Sequence, residues 1–172
     1  MKLTEPTREY ARQIEAYRKA FLDSGESMDG TGSLRRFERG EEWIDHVTAG
    51  KNPETMTTAV PATQYIFVRE TDGKVVGMLQ IRHYFNEYLE KYAGHIGYSV
   101  IPGERRKGYA AQMLSLALPE CRALGIRRVL ISCSKDNEGS RKTILKNGGV
   151  YESTVYEPEA GLYLERYWID VP

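Results

Sequence analysis

Between His95 and Leu124 the chain passes from a β-rich run into a helical one through a short glycine-bounded basic loop. His95-Ile96-Gly97-Tyr98-Ser99-Val100-Ile101 carries the branched and aromatic side chains of a strand, and Pro102-Gly103 ends it. From Arg106 to Leu124 the apolar residues Ala110, Met113, Leu114, Leu116 and Ala117 recur at helical spacing, with Gly125 as the stop. Pro119 lies inside that helix and removes a backbone donor, so a kink is expected there. A strand that runs directly into a long helix rules out an all-α or an all-β chain.

The remaining segments fill in around this junction. Residues 6–23 read as an amphipathic helix, opened by Pro6 and striped by Tyr10, Ile14, Tyr17 and Phe21. Residues 24–36 are polar and glycine-rich, hence loop, and a short helix is expected over 40–49 around Trp43, Ile44 and Val47. Residues 50–62 hold two prolines and read as connection. Tyr65–Val68 and Val75–Ile81 are strands joined by the hairpin turn Thr71-Asp72-Gly73-Lys74. Residues 85–93 fit either a loop or a helical turn. Val129–Cys133 is a strand, Asn137–Asn147 a helix stopped by Gly148-Gly149, and Val150–Tyr156 with Leu162–Ile169 a closing antiparallel pair. The order predicts an α/β or α+β fold on a central sheet, as one domain over residues 1–172.

Composition narrows the function classes. The 172 residues carry 24 basic and 24 acidic side chains, so the net basic excess of a nucleic-acid binder is missing. No run of about 18 apolar residues suggests a membrane span, and the N-terminal twenty residues lack the apolar stretch of a secretory leader. Cys121 and Cys133 have no metal-ligand spacing and read as buried thiols of a reducing compartment. A cytoplasmic protein without metal is the expectation.

The chemistry concentrates in Val100-Ile101-Pro102-Gly103-Glu104-Arg105-Arg106-Lys107-Gly108-Tyr109-Ala110. The first N–H groups of a helix have no internal partner and sit at the positive end of its dipole, which suits an anion such as a phosphate. Gly108 and Ala110 keep the surface low enough for a phosphate to approach the backbone. Arg105, Arg106 and Lys107 place positive charge at the end of the helix where it is disfavoured, so something anionic is needed to compensate them, unless the segment is simply a solvated basic turn.

This segment resembles the pyrophosphate-binding motif of the GNAT superfamily of N-acetyltransferases, [QR]-x-x-G-x-[GA], met here by Arg105, Gly108 and Ala110. About thirty residues later Asn137-Glu138-Gly139-Ser140 resembles the family's next motif, an Asn and a small residue opening a helix beside CoA. The element order over residues 64–170 also fits. The resemblance implies a mixed, mostly antiparallel sheet splayed between the strands at 94–101 and 128–133, with the pantetheine arm of acetyl-CoA in the gap. It implies that Tyr98, Ser99 and Val100 pair with the arm through their backbones, with a bulge aiming one N–H at the thioester carbonyl. The amides of Arg105, Arg106, Lys107, Gly108, Tyr109 and Ala110 would hold the pyrophosphate, and Asn137 and Ser140 would touch the cofactor. The implied reaction is acetyl transfer from acetyl-CoA to a primary amine by direct attack, with no metal.

One position departs from the family pattern. Many members carry a tyrosine seven residues past the motif Asn as the acid for the leaving thiolate; here that residue is Ile144. Tyr151, Tyr98 and Tyr109 are the nearby phenols. Candidates for the base are His83 and His95, which flank the site strand and titrate near neutrality, with Glu87 between them. Glu87 and Glu90 could draw in a cationic amine, and Asp23, Glu26 and Asp29 could line the other wall. A catalytically silent CoA-binding module is the alternative that Ile144 favours. The closing strands at 150–169 leave a free edge or a homodimer contact open.

Overall fold

The structure is a computed structural model that describes residues 1–55 and 60–172; part of the connection expected over 50–62 lies outside those residues. Its elements run β1 (Lys2–Thr4), α1 (Ala11–Ser24), α2 (Gly40–Ala49), β2 (Ala62–Arg69), β3 (Lys74–Arg82), β4 (Ile96–Val100), α3 (Tyr109–Ala123), β5 (Arg128–Ser134), α4 (Glu138–Lys146), β6 (Val150–Glu157) and β7 (Leu162–Asp170). Strand β1 at the N-terminus was not legible in the sequence. The ambiguous segment at 85–93 contains one wide helical turn, Leu89–Ala93.

The strands form two sheets, ordered β1-β2-β3-β4 and β5-β7-β6, with each pair of neighbours antiparallel. Strand β2 shows why the first sheet is covered on both faces. Tyr65 and Phe67 point to one side, into a core shared with α3 and with Val129, Ile131, Tyr167 and Ile169 of the second sheet. Ile66 and Val68 point to the other, against the stripe Ala11, Ile14, Tyr17 and Phe21 of α1 and Trp43, Ile44 and Val47 of α2. The period-2 alternation of the strand thus meets the 3.6-residue stripe of each helix. Burial of that α1 stripe removes four apolar side chains from water, each worth about 1 to 3 kcal/mol.

Helix α3 starts at Tyr109, three residues later than its apolar spacing suggests. Arg106 (φ 63°) and Gly108 (φ 80°) are left-handed, so the chain turns here before it coils. Pro119 lies within α3 on its exposed face, and the helix is continuous through it. The proline there faces solvent, where water can satisfy the carbonyl it leaves without a donor. Cys121 and Cys133 are free and buried, and burial pushes their thiols up to about 12 and about 11. Among the described residues no helix is long and apolar enough to cross a membrane, and no group of His, Cys, Asp or Glu is placed to hold a metal ion.

Candidate active site

The two sheets touch at one point and separate from there. Gly94 bridges Ile131, the His95 amide donates to the Leu130 carbonyl at 2.8 Å, and the Leu130 amide donates back to His95 Nδ1 at 3.0 Å. The imidazole nitrogen stands in for a backbone carbonyl at the apex of a V. Beyond the apex the gap opens into a cleft of about 1180 Å³.

Hydrogen-bond parity decides what faces that gap. Along β4 the Arg82 amide donates to His95 O and the Ile101 amide to Val76 O, so the odd residues 95 to 101 are the ones bonded to β3. In an antiparallel ladder the alternate residues turn their N–H and C=O away, which leaves Tyr98 and Val100 facing the gap. On β5 the Lys135 amide donates to Tyr163 O and the Val171 amide to Arg127 O, so the odd residues bond β7. Leu130, Ser132 and Ser134 then face the gap, and Leu130 is consumed by His95. Tyr98 and Val100 oppose Ser132 and Ser134 as two edges without a partner strand, although Arg105 Nε and the Asn137 amide already take the Val100 and Ser134 carbonyls. Ser99 differs from its neighbours: its backbone serves β3, and its Oγ donates to Asp29 O at 2.7 Å and meets Tyr17 OH at 3.1 Å. No bulge interrupts the β3–β4 register, contrary to the expectation for this strand; strand alternation alone turns the edge groups outward. The Ser132 hydroxyl, buried beside the cleft, has no partner among the described residues.

At the wide end lies the loop from Ile101 to Gly108. Among the described residues, none of the amides of residues 105–111 finds a protein acceptor; Gln112 is the first to do so, donating to Gly108 O at 3.1 Å. Several adjacent N–H groups therefore converge at the positive end of α3. A Cβ at Gly108 would meet nothing within 4 Å, so the space over these amides is open. The three cations of the loop have separate fates. Lys107 pairs with Glu104 at 2.7 Å, outside the cleft lining. Arg105 donates to Val100 O at 3.1 Å and pairs with Glu26 at 2.6 Å, which ties the loop to the end of α1. Arg106 has no ion pair among the described residues and lines the cleft. Glu104 anchors the loop from below: Arg69, Lys74 and Lys107 surround its carboxyl and hold it down at about 2.

Across the gap, Asn137 Oδ1 accepts from the Ser140 amide at 3.0 Å and caps α4. Ser140 Oγ in turn meets Tyr98 OH at 2.7 Å. Asn137, Ser140, Tyr98, Ser99, Val100, Arg105, Arg106, Gly108, Tyr109 and Ala110 all line the one cleft. Ile144 is fully buried in the core and offers nothing to it.

The candidate bases, and Tyr151 among the candidate phenols, are elsewhere. His83 Nε2 bonds Thr63 Oγ1 at 2.9 Å, Glu87 is exposed, and Tyr151 is exposed on β6 with its hydroxyl on Thr154 Oγ1 at 2.9 Å. None of the three lines the cleft, and neither does His95. His95 is 8% exposed, its ring packs on Phe85, and burial with the Arg82 charge lowers its pKa to about 4. Of the acids expected on the other wall, Glu26 and Asp29 line the cleft and Asp23 does not. The sequence reading missed how firmly the 24–36 loop is built: Gly30 O accepts from Gln64 Nε2 and Thr31 O from Trp43 Nε1, each at 2.8 Å. It also missed Arg82, Tyr88, Tyr92 and Glu157 on the cleft wall. Their sequence positions carry no motif that would have marked them.

The geometry of His95 makes a prediction. Its proton is bound near pH 6.5 in the unfolded chain and only near pH 4 in the folded one. Stability is therefore whole above about pH 6.5 and drains away as pH falls through about 4. His95→Ala is expected to remove that slope from urea midpoints measured between pH 4 and 7. It also leaves the Leu130 amide buried without an acceptor, a loss of about 1 to 3 kcal/mol.

The Acetyltransferase (GNAT) family model matches residues 14–148. No curated protein matches the chain. Among solved structures, the ribosomal-protein-S5-alanine acetyltransferase of Vibrio fischeri superposes with a TM-score of 0.73 at 17% identity, covering 98% of this chain and 92% of that one. RimJ of Mycobacterium smegmatis, in complex with CoA-disulfide, gives 0.72 at 18% identity over 98% of this chain and 80% of its own. A variant of spermidine N-acetyltransferase SpeG from Vibrio cholerae gives 0.66 at 12% identity over 99% and 95%. These likenesses agree with the mixed α/β architecture described above. With a V-shaped split between two antiparallel sheets, a helix-end loop that follows the family motif and a family match over most of its length, the chain belongs to the GNAT family of acetyltransferases.

Proposed function

We propose that the protein transfers an acetyl group from acetyl-CoA to a primary amine by direct attack on the thioester. The observation that carries this reading is the pair of strand edges without a partner strand, Tyr98 and Val100 against Ser132 and Ser134, ending at the amides of residues 105–111, which find no acceptor among the described residues. An extended arm with amide groups fits between two such edges, and a diphosphate fits the helix end. The partnerless Ser132 hydroxyl and the open space over Gly108 support the same occupant. Arg106 adds charge for the phosphates, while Asn137 and Ser140 hold the opposite rim.

Acetyl-CoA, when bound, supplies the acetyl group as an activated thioester. The amine nitrogen gains the acetyl group and gives up a proton, and the sulfur leaves as a thiol. Tyr98 is the residue of this chain best placed to give that thiol its proton. Burial raises its pKa, so the phenol stays protonated at neutral pH, and the 2.7 Å contact with Ser140 Oγ fixes its position. Ile144 needs no replacement on α4 in this reading, because the phenol comes from the facing strand. His95 acts as a positioning residue at the apex. Tyr98→Phe is expected to lower kcat about 100-fold, the lower end for a general acid, with acetyl-CoA affinity unchanged. An unchanged kcat removes Tyr98 from the reaction.

The direct test combines calorimetry of acetyl-CoA binding with thiol release across a panel of primary amines. Binding with amine-dependent thiol release supports the enzyme. Tight binding with no release from any amine supports the second reading, a CoA-binding module, which the buried Ile144 favours.

A further inference from the structure

Near the apex the cleft wall carries a guanidinium with no acid within ion-pair distance among the described residues. Arg82, at the end of β3, is part-buried and lines the cleft. Its Nη1 donates to Gly94 O at 3.1 Å. No carboxylate lies within ion-pair distance of it among the described residues, although fourteen of the chain's other ion pairs are formed within 4 Å on the surface or at the loop base. Burial lowers its pKa and is only partly opposed by the charge of Asp29. A guanidinium taken out of water without a partner is costly, and such a group on the wall of a ligand cleft is matched by a ligand that brings the anion.

The neighbours of Arg82 do not supply that anion. Glu157 is buried on the same cleft, but its two oxygens accept from the amides of Glu159 and Ala160 at 3.0 and 2.6 Å. Glu26 is paired with Arg105. Asp29 is exposed and accepts from Ser27 Oγ at 3.0 Å; it has no ion pair among the described residues. Tyr88 and Tyr92, with rings 5.3 Å apart, close the side of the pocket next to Arg82. Around Arg82 the cleft thus presents, among the described residues, a cation without an ion pair, the exposed carboxylate of Asp29 and an aromatic wall.

We infer that the acceptor is a small amine that carries a carboxylate, an amino acid, with the guanidinium of Arg82 gripping the carboxylate and Asp29 drawing in the ammonium. This rests on the acetyltransferase reading above and names its substrate class. It disfavours polyamines, whose charges are all positive and would meet Arg82 unscreened.

The test uses protein saturated with CoA, titrated by calorimetry with the free amino acids and with their carboxamides, and then assays acetyl transfer to the same compounds, to spermidine and to peptides with free N-termini. At least one amino acid is expected to bind and to be acetylated, with its carboxamide weaker by about 10- to 100-fold, the range for one hydrogen-bonded charge. Arg82→Gln is expected to raise KM for that amino acid by the same factor and to leave kcat, the carboxamide's KM and acetyl-CoA affinity as they were. Arg82→Lys keeps the charge without the fork and is expected to recover part of the loss. Equal activity on amino acid and carboxamide, preference for spermidine or peptide, an equal Arg82→Gln loss on both compounds, or no binding of any amino acid to the CoA-saturated protein each overturns the inference. The acetyltransferase reading itself fails separately, through absent acetyl-CoA binding or absent thiol release with every amine.

Discussion

Gly108→Glu is expected to abolish acetyl-CoA binding while the protein stays folded. Gly108 is the N-cap of α3 at φ 80°, ψ 4°, and an added Cβ meets no atom within 4 Å. The free protein therefore loses only the cost of a non-glycine residue in a left-handed conformation, about 1 to 2 kcal/mol. The bound state loses far more. The new carboxylate stands over the amides proposed to receive the diphosphate, and one like-charge contact at about 4 Å near a protein surface is worth about 4 kcal/mol, or about 1000-fold in affinity. Gly108→Ala separates the two components, since it keeps the backbone strain without the charge, and is expected to weaken binding much less. Calorimetry with acetyl-CoA on the three proteins, with circular dichroism to verify folding, decides it. Wild-type affinity in Gly108→Glu would place the diphosphate somewhere other than the end of α3.

Gly94→Ala is expected to destabilise the protein strongly. Gly94 has φ 71° and ψ −164°, a region essentially closed to side chains, and sits where β4 and β5 meet. A Cβ there would lie 2.3 Å from the Leu130 carbonyl oxygen, a backbone atom that cannot move without opening the apex of the V. The strain of about 1 to 3 kcal/mol adds to an overpacking cost of similar size. Together they put the loss at about 4 kcal/mol and lower Tm by roughly 10 °C. Because Gly94 adjoins His95 at the apex of the split, the damage should reach the cleft: acetyl-CoA affinity is expected to fall even where the variant is folded. Thermal melts followed by calorimetry on the folded variant measure both. A Tm within 2 °C of wild type would mean that the apex can relax, and that the split between the sheets is not held at this point.

Much of the framework could be read from residue order. The stripe Ile14, Tyr17, Phe21 marked α1 because a helix buries one side of itself, and all three side chains are buried. The turn at Asp72-Gly73, the helix opened by Asn137 and the closing pair β6–β7 stand where local chemistry placed them. The start of α3 was misjudged, because apolar spacing ignores backbone handedness and Arg106 adopts a left-handed φ that only the folded loop reveals. His95 was legible as a histidine at a strand start; its use as an acceptor for the Leu130 amide depends on a strand 35 residues away.

The sequence alone determined the element types, the basic, glycine-bounded character of the Gly103–Gly108 loop and the absence of a phenol at residue 144, since each depends on neighbouring residues, their period and their charge. Tertiary structure decided which groups face the cleft. Strand pairing parity turned Tyr98 and Val100 outward and Ser99 inward, the apex at Gly94 and His95 separated the sheets, and the folding back of residues 26–30 left Arg82 on the cleft wall without a carboxylate partner. These depend on contacts between residues far apart in the chain, and local propensity carries no record of them.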